Sequence, residues 1–309
     1  MPELPEVETI RLGLAEHLTG AQIADVHVLH PRAIRRSPGG AEGFYSLVGA
    51  RMTGFARRGK YLWADLGDTA LICHLGMSGQ LLITGPGREI PPNPHVRARF
   101  DMMDGTVLRF VDQRTFGHLQ LAGWQDTADG GPGGWGSERP HIPGPVAHIA
   151  RDLLDPALDE SELSRRTRAR RTEIKRAMLD QGLVSGLGNI YCDEALFRAG
   201  IHPRRRAASL SYAKLADLWG HARDVMTTAL AEGGTSFDAL YVNVNGASGY
   251  FDRSLRAYGR GGLPCVTCGT TMVREQFMNR SSTYCPCCQP YSRPASTTRG
   301  SRRARRAGA

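Results

Sequence analysis

Two cysteine pairs near the C-terminus constrain the fold more than any other stretch of the chain. They read C-V-T-C at 265–268 and C-P-C-C at 285–288, so Cys265, Cys268, Cys285 and Cys288 form C-x2-C-x16-C-x2-C. Two equal spacings suit a tetrahedral ion gripped from both sides by thiolates, which predicts one structural Zn2+. Four protein ligands leave no open position for a substrate, so the metal is expected to organise a segment of about 25 residues that has no core of its own. Cys287 leaves an alternative register within the second pair. Cys73 and Cys192 fit no ligand spacing and are expected to pack in cores.

Upstream of this cluster the periodicity changes once. Residues 1–125 read mostly as strand, preceded by one helix. Val7, Ile10, Leu14 and Leu18 recur at helical spacing, which predicts a helix from about Pro5 to Leu18. Pro5 suits its first turn, and Glu6 and Glu8 lie near the positive end of its dipole. Between 95 and 110, Val96, Ala98, Phe100 and Met102 alternate with Arg97, Arg99, Asp101 and Met103. Asp104-Gly105 then turns the chain into a second strand through Val107, Leu108 and Phe110. Strands are also expected at 61–66, 70–74 and 81–83, with an exposed turn at Gly76–Gly79. Short strands with such turns indicate a β-sandwich or barrel.

Residues 126–145 are rich in Gly and Pro and read as a linker. Residues 146–262 turn helical. Residues 161–170 are polar and basic, Ile174, Ala177 and Met178 form a stripe ending near Gly182, and Ser211 caps a long helix that stops at Gly233-Gly234. Asn189 is expected to cap a helix of its own. Gly186 and Gly188 before it are expected to let a phosphate approach the free N–H groups of the first turn. Residues 241–263 read as a long loop, 263–289 as the zinc segment and 290–309 as a basic, disordered tail. The fold class is therefore α+β with two principal domains.

The formal charge is +9, but six arginines in the tail leave only +3 for residues 1–289. Any polyanion site in the body must be a local patch. Arginine is the default cation: only Lys60, Lys175 and Lys214 are lysines among 39 basic residues. A lysine in that background marks a position that wants a compact or titratable amine. No stretch approaches the roughly 18 apolar residues of a membrane span, and the acidic N-terminus lacks a signal-peptide apolar region. The expected location is cytoplasmic. In a reducing compartment the seven cysteines argue for metal and packing roles over disulfides.

Six segments occur in order: PELPEVET at 2–9, RRGKYL at 57–62, HLGMSG at 74–79, DQRTFG at 112–117, GLGNIYCDEALFRAGIHP at 186–203, and the four-cysteine segment ending in CQ. With these, the chain resembles the formamidopyrimidine-DNA glycosylase and endonuclease VIII family over about residues 2–289. The resemblance implies an N-terminal β-sandwich, a helix–two-turns–helix domain and a zinc hairpin, with double-stranded DNA in the cleft between them. It implies a bifunctional glycosylase and abasic-site lyase with no redox cofactor, a monomer found at the nucleoid when on DNA. Pro2, freed of Met1, is its nucleophile, forming a Schiff base at the sugar C1′. Glu3 is the candidate general acid/base, and Lys60 contacts the target nucleotide and its phosphate. His74, Asn189 and Arg280 are expected on backbone phosphates, with Lys175 as a further DNA contact. Met77, Arg114 and Phe116 are expected to fill the space left by the extruded nucleotide, Arg114 facing the orphaned cytosine. Leu4 and the PELPEVET opening favour oxidised purines (8-oxoguanine and formamidopyrimidines). The alternatives are the same chemistry on oxidised pyrimidines, or a non-catalytic zinc-dependent damaged-DNA-binding protein, which would need neither Pro2 nor Glu3.

Overall fold

The computed structural model describes residues 2–89, 92–234 and 254–291. Residues 241–253 of the loop expected at 241–263 and nearly all of the basic tail lie outside them. Helix α1 (Leu4–Leu18) begins one residue before the sequence pattern suggests, and the Glu6 carboxylate accepts the Glu3 N–H at 2.8 Å to close its first turn. Its apolar stripe, Val7, Ile10, Leu14 and Leu18, is fully buried.

That stripe covers a sandwich of two four-stranded antiparallel sheets. The first has the order β1 (Ile23–Val28), β6 (Val96–Met102), β7 (Val107–Asp112), β5 (Gly79–Thr84). The second has the order β2 (Gly54–Arg58), β3 (Tyr61–Asp65), β4 (Ala70–His74), β8 (His118–Ala122). Helix α2 (Gly40–Tyr45) adds Phe44 to the same core. Val26, Phe100 and Phe110 of one sheet share this core with Leu62, Leu71 and Cys73 of the other, so the period-two pattern read at 96–102 is the inward face of a sandwich. Arg97, Arg99 and Asp101 take the opposite side of β6.

The second core is helical. It joins α3 (Glu160–Arg168), α4 (Ile174–Met178), α5 (Asn189–Arg198) and α6 (Tyr212–Ala231). Ser211 caps α6 by accepting the Lys214 N–H at 3.2 Å. The stripe expected to run to Gly182 stops as helix at Met178, and turns carry the chain to α5. Leu4 at the start of α1 belongs to this helical core, whereas the rest of the α1 stripe belongs to the sandwich. The N-terminus is therefore the seam between the domains. The zinc hairpin, β11 (Val273–Phe277) and β12 (Arg280–Tyr284), packs β12 on α5.

The expected linker at 126–145 is corrected by the structure. It is a folded strap: β9 (Trp124–Asp126) pairs with β10 (His141–Pro143), and Trp135 and Arg57 exchange two backbone hydrogen bonds, both of 2.9 Å, at the edge of β2. The glycines serve close packing. A Cβ at Gly134 would strike the Arg57 carbonyl and the Trp63 ring. Arg151 fastens the strap with a fork onto Asp129 at 2.6 and 2.8 Å. Gly and Pro enrichment measures avoidance of regular structure, and a tightly packed irregular segment shares it with a free linker.

Beneath the strap lies a buried ionic network. Arg57, with no exposed surface, donates to Glu8 of α1 at 2.8 Å and to Asp152 at 2.7 Å, while Asp152 also accepts the Gly59 N–H at 3.2 Å. One guanidinium thus ties α1, the β2–β3 turn and the entry to the helical domain together. Such a group needs every partner it has, because an unpaired buried charge is costly.

Candidate active site

The β2–β3 turn presents Lys60. Gly59 takes φ +57°, and a Cβ there would press on Ser185 of the two-turn segment. The Lys60 ammonium donates to the Leu187 carbonyl at 2.8 Å and is almost fully buried. Burial lowers its pKa, opposed chiefly by the nearby Glu3 carboxylate. Glu3 in turn is raised by burial, with Lys60 the leading influence in the other direction. Acid and amine are both buried, and each acts on the other's charge.

Glu3 occupies the site expected for a phosphate. Its carboxylate accepts N–H groups from Gly188 at 2.6 Å, Ile190 at 3.0 Å and Tyr191 at 3.4 Å, the free donors at the start of α5. A Cβ on Gly188 would collide with that carboxylate, and one on Gly186 would collide with Leu4, whose N–H donates to the Gly186 carbonyl at 3.1 Å. The sequence reading therefore found the close approach and misassigned the visitor: the chain's own N-terminus sits there. Asn189 is the first residue of α5, after Gly188 as cap. Its amide is bonded to the Tyr258 hydroxyl. Pro2 is buried beside Glu3 at the same seam.

A cavity of ≈ 290 Å³ opens next to this seam, lined by Lys60, His74, Gln181, Leu187 and Arg280 among others. Three residues expected on phosphates or the target nucleotide, from β4, the β2–β3 turn and the zinc hairpin, thus face one space. The Nδ1 atom of His74 accepts the Gly76 N–H at 3.2 Å, which leaves the proton on Nε2. Burial, with Lys60, Arg36 and Arg35 nearby, lowers the His74 pKa to about 4. A ring that stays neutral at ordinary pH can donate a hydrogen bond to a phosphate without titrating.

Met77 and Phe116 are well exposed, at 39% and 48%, on turns whose backbones touch. A Cβ at Gly76, where φ is +63°, would strike Gly117 and Phe116. Ser78 and Asp112 bind the two turns together: the Ser78 hydroxyl donates to Asp112 at 2.6 Å and accepts the Arg114 N–H at 3.1 Å. The Arg114 guanidinium lies 4.0 Å from the Met77 sulfur. Large apolar side chains held outward on rigid turns suit insertion into a base stack.

Lys175 is a correction. Its side chain has no exposed surface and its ammonium is spent on Asp193 at 2.6 Å and the Ser281 carbonyl at 3.1 Å. The rare lysine seals the zinc hairpin to α5 and offers nothing to DNA. Its partner Asp193 and the neighbouring Glu194 went unnoticed in the sequence. Glu194, fully buried, gathers the N–H groups of Arg256, Ala257 and Tyr258 at 2.7–3.1 Å. The available signal was an Asp-Glu pair inside an otherwise apolar helix face.

The four cysteine sulfurs lie within 4.8 Å of one another. The Sγ separations are 3.9 Å for Cys265–Cys288, and 3.5 Å for both Cys268–Cys285 and Cys268–Cys288. A tetrahedral ion with bonds of about 2.3 Å requires edges of about 3.8 Å, so the set fits Zn2+. Cys287 is exposed and outside the set, while Cys73 and Cys192 are core residues. Cys268→Ser is expected to lower zinc content from one ion per chain toward zero in native mass spectrometry and to expose the 273–284 amides to hydrogen exchange; full protection without zinc would contradict the structural role.

Models of known families match three consecutive parts of the chain. Residues 1–119 match the formamidopyrimidine-DNA glycosylase N-terminal domain, 149–239 its H2TH domain, and 262–290 a zinc finger found in FPG and IleRS. A protein from Mycolicibacterium vanbaalenii named formamidopyrimidine-DNA glycosylase is 54% identical over 306 residues, covering 95% of this chain and 100% of its own. The chain belongs to the formamidopyrimidine-DNA glycosylase family. A glycosylase of the same name from Salinispora arenicola is 56% identical over 299 residues, with 96% and 98% covered. Among solved glycosylases, a point mutant of the Lactococcus lactis FPG in complex with Fapy-dG-containing DNA superposes with a TM-score of 0.78 at 28% identity, covering 94% of this chain and 100% of that one. The Lactococcus lactis Fpg in complex with abasic-site DNA gives 0.77 at 29%, with the same coverage. Among the described residues no helix is long and apolar enough to cross a membrane.

Proposed function

We infer that this protein is a base-excision-repair glycosylase and abasic-site lyase that removes oxidised purines from duplex DNA, with Pro2 as nucleophile and Glu3 as acid/base. The observation that carries the reading is the N-terminal seam. Glu3 is bolted to the start of α5, which holds the chain end beside buried Lys60 and next to the cavity shared by His74 and Arg280. A sugar rotated out of the helix can meet an amine there while its flanking phosphates are held.

Once Met1 is removed, the Pro2 nitrogen attacks C1′ and the bond to the damaged base breaks. The base leaves with the electron pair of that bond and takes up the proton released from the Pro2 nitrogen, while Glu3 in its protonated form gives its proton to the ring oxygen as the bond from C1′ to that oxygen opens. The resulting iminium is cationic because the amine is secondary. It acidifies C2′, so loss of a C2′ proton expels the 3′ phosphate, and a second elimination expels the 5′ phosphate. His74 and Arg280 hold phosphates, Asn189 contributes from the head of α5, and Met77, Arg114 and Phe116 occupy the vacated stack. The zinc ion supplies no chemistry; it holds the hairpin that carries Arg280.

Strand cleavage of 8-oxoguanine:C and thymine glycol:A duplexes under single-turnover conditions tests the lesion class. The purine lesion is expected to react at least about tenfold faster. A reversed order would assign the protein to oxidised pyrimidines.

A further inference from the structure

The loop 113–117 that bears Arg114 and Phe116 is held from both sides. From within, Asp112 accepts the Gly117 N–H at 2.7 Å. From outside, the 3-10 helix Pro31–Ile34 and the residue after it supply two arginines. Arg35 forks onto two successive carbonyls, Phe116 at 3.0 Å and Gly117 at 2.8 Å, and Arg32 donates to the Thr115 carbonyl at 3.3 Å. Arg35 also donates to the Arg32 carbonyl at 2.7 Å, which couples the two. Three consecutive peptide planes are fixed by guanidinium groups.

The loop needs holding. Thr115 sits at φ +54°, a left-handed conformation that a β-branched residue rarely adopts. Strain of this kind persists only where the surroundings over-determine it, and it concentrates at working sites. Its neighbours on either side are the two side chains aimed at the base stack. A peptide plane that rotates at 115 or 116 swings the Cα–Cβ bonds of Arg114 and Phe116, and a guanidinium that reads a base edge tolerates little angular error.

We propose that Arg35, supported by Arg32, is a positioning residue that sets the base-reading geometry of Arg114 and Phe116 by clamping the carbonyls of 115–117. The proposal rests on the assignment of Arg114 to the orphaned base. It separates the clamp from mere attraction to DNA, because a lysine keeps the charge and cannot span two carbonyls with a planar fork.

The test is Arg35→Lys in the full chain, comparing excision of 8-oxoguanine opposite cytosine and opposite adenine, with lyase activity on a preformed abasic site as an internal reference. Expected is a fall of about five- to tenfold in the C-over-A ratio, lyase activity within about twofold of wild type, and an unchanged salt slope of DNA binding. Arg32→Ala is expected to give the same change at smaller size. Arg36→Ala, which removes a neighbouring charge outside the clamp, is expected to weaken binding to both duplexes alike. An Arg35→Lys ratio equal to wild type, or a proportional fall in lyase activity, would overturn the clamp. Arg114→Ala distinguishes the underlying assumption: if it leaves the ratio intact, the base-reading assignment itself is wrong, whereas loss in Arg114→Ala but not in Arg35→Lys refutes only the clamp. All four altered side chains are surface cations, so matched melting temperatures are expected.

Discussion

A chain that keeps a residue ahead of Pro2 should form no borohydride-trapped adduct with abasic duplex DNA, whereas the processed chain should crosslink to it. The reason is electronic. The nitrogen of a Met1–Pro2 peptide bond is a tertiary amide with its lone pair delocalised, while a free chain-terminal amine titrates near 7.7–8.0 and is roughly a tenth neutral at pH 7. An ordinary lysine is neutral well under one part in a thousand at that pH. Removing the nucleophile should cost at least about a thousandfold in single-turnover excision. Pro2→Gly replaces the secondary amine with a primary one and loses the iminium that is cationic without a proton, so trapping should be strongly weakened rather than simply delayed. Location adds to chemistry here: Leu4 is pinned to the Gly186 carbonyl and Glu3 to α5, which leaves an added residue little latitude. Robust trapping by a chain with its N-terminus blocked would assign the nucleophile elsewhere, Lys60 being the next amine in the pocket.

Glu3→Gln should retain the fold and lose at least about a hundredfold in excision of an intact lesion, with a smaller loss on a preformed abasic site. An abasic sugar needs no help in expelling a base, so the two substrates separate the acid's role from general damage to the pocket. Equal losses on both substrates would remove Glu3 from the role of proton donor. The raised pKa gives a second, independent signature. Burial disfavours the ionised carboxyl, and the Lys60 charge and the α5 N–H groups only partly offset this. From the ordinary value of 4.5 upward, the folded chain then binds more protons at this site than the unfolded chain. Stability attributable to Glu3 therefore falls as pH rises from there through the raised folded value. Denaturation midpoints measured from about pH 5 to pH 8 should show wild type losing stability relative to Glu3→Gln with rising pH; parallel curves would mean that Glu3 ionises as readily in the fold as outside it.

Much of the local architecture was legible. The alternation at 96–102, the turn at Asp104-Gly105, the helical stripe of α1 and the cap at Ser211 each follow from rules that operate within a few residues. The paired cysteines are legible for a related reason: coordination geometry imposes a spacing that chance rarely reproduces. Two peripheral expectations failed in instructive ways. The strap at 126–145 looked like a linker because the packing of Gly134 against the Arg57 carbonyl is a contact between residues far apart in sequence. Lys175 looked like a DNA contact because rarity marks a special amine without saying which anion it meets. The anion is Asp193 on α5, which the fold brings against α4.

By itself, then, the amino-acid order determined many of the local elements, the two cysteine pairs and the family to which its motifs point, since these depend on short-range periodicity, fixed spacings and residue identity. Only the tertiary structure decided that the first helical turn of α5 receives Glu3 rather than a phosphate, and that Arg57 joins three segments beneath a folded strap. It also decided that Lys60, His74 and Arg280 line one cavity. Those outcomes turn on which buried charges and free N–H groups meet when two cores close on a shared N-terminus. A group removed from water must take whatever partner the closed fold puts within reach.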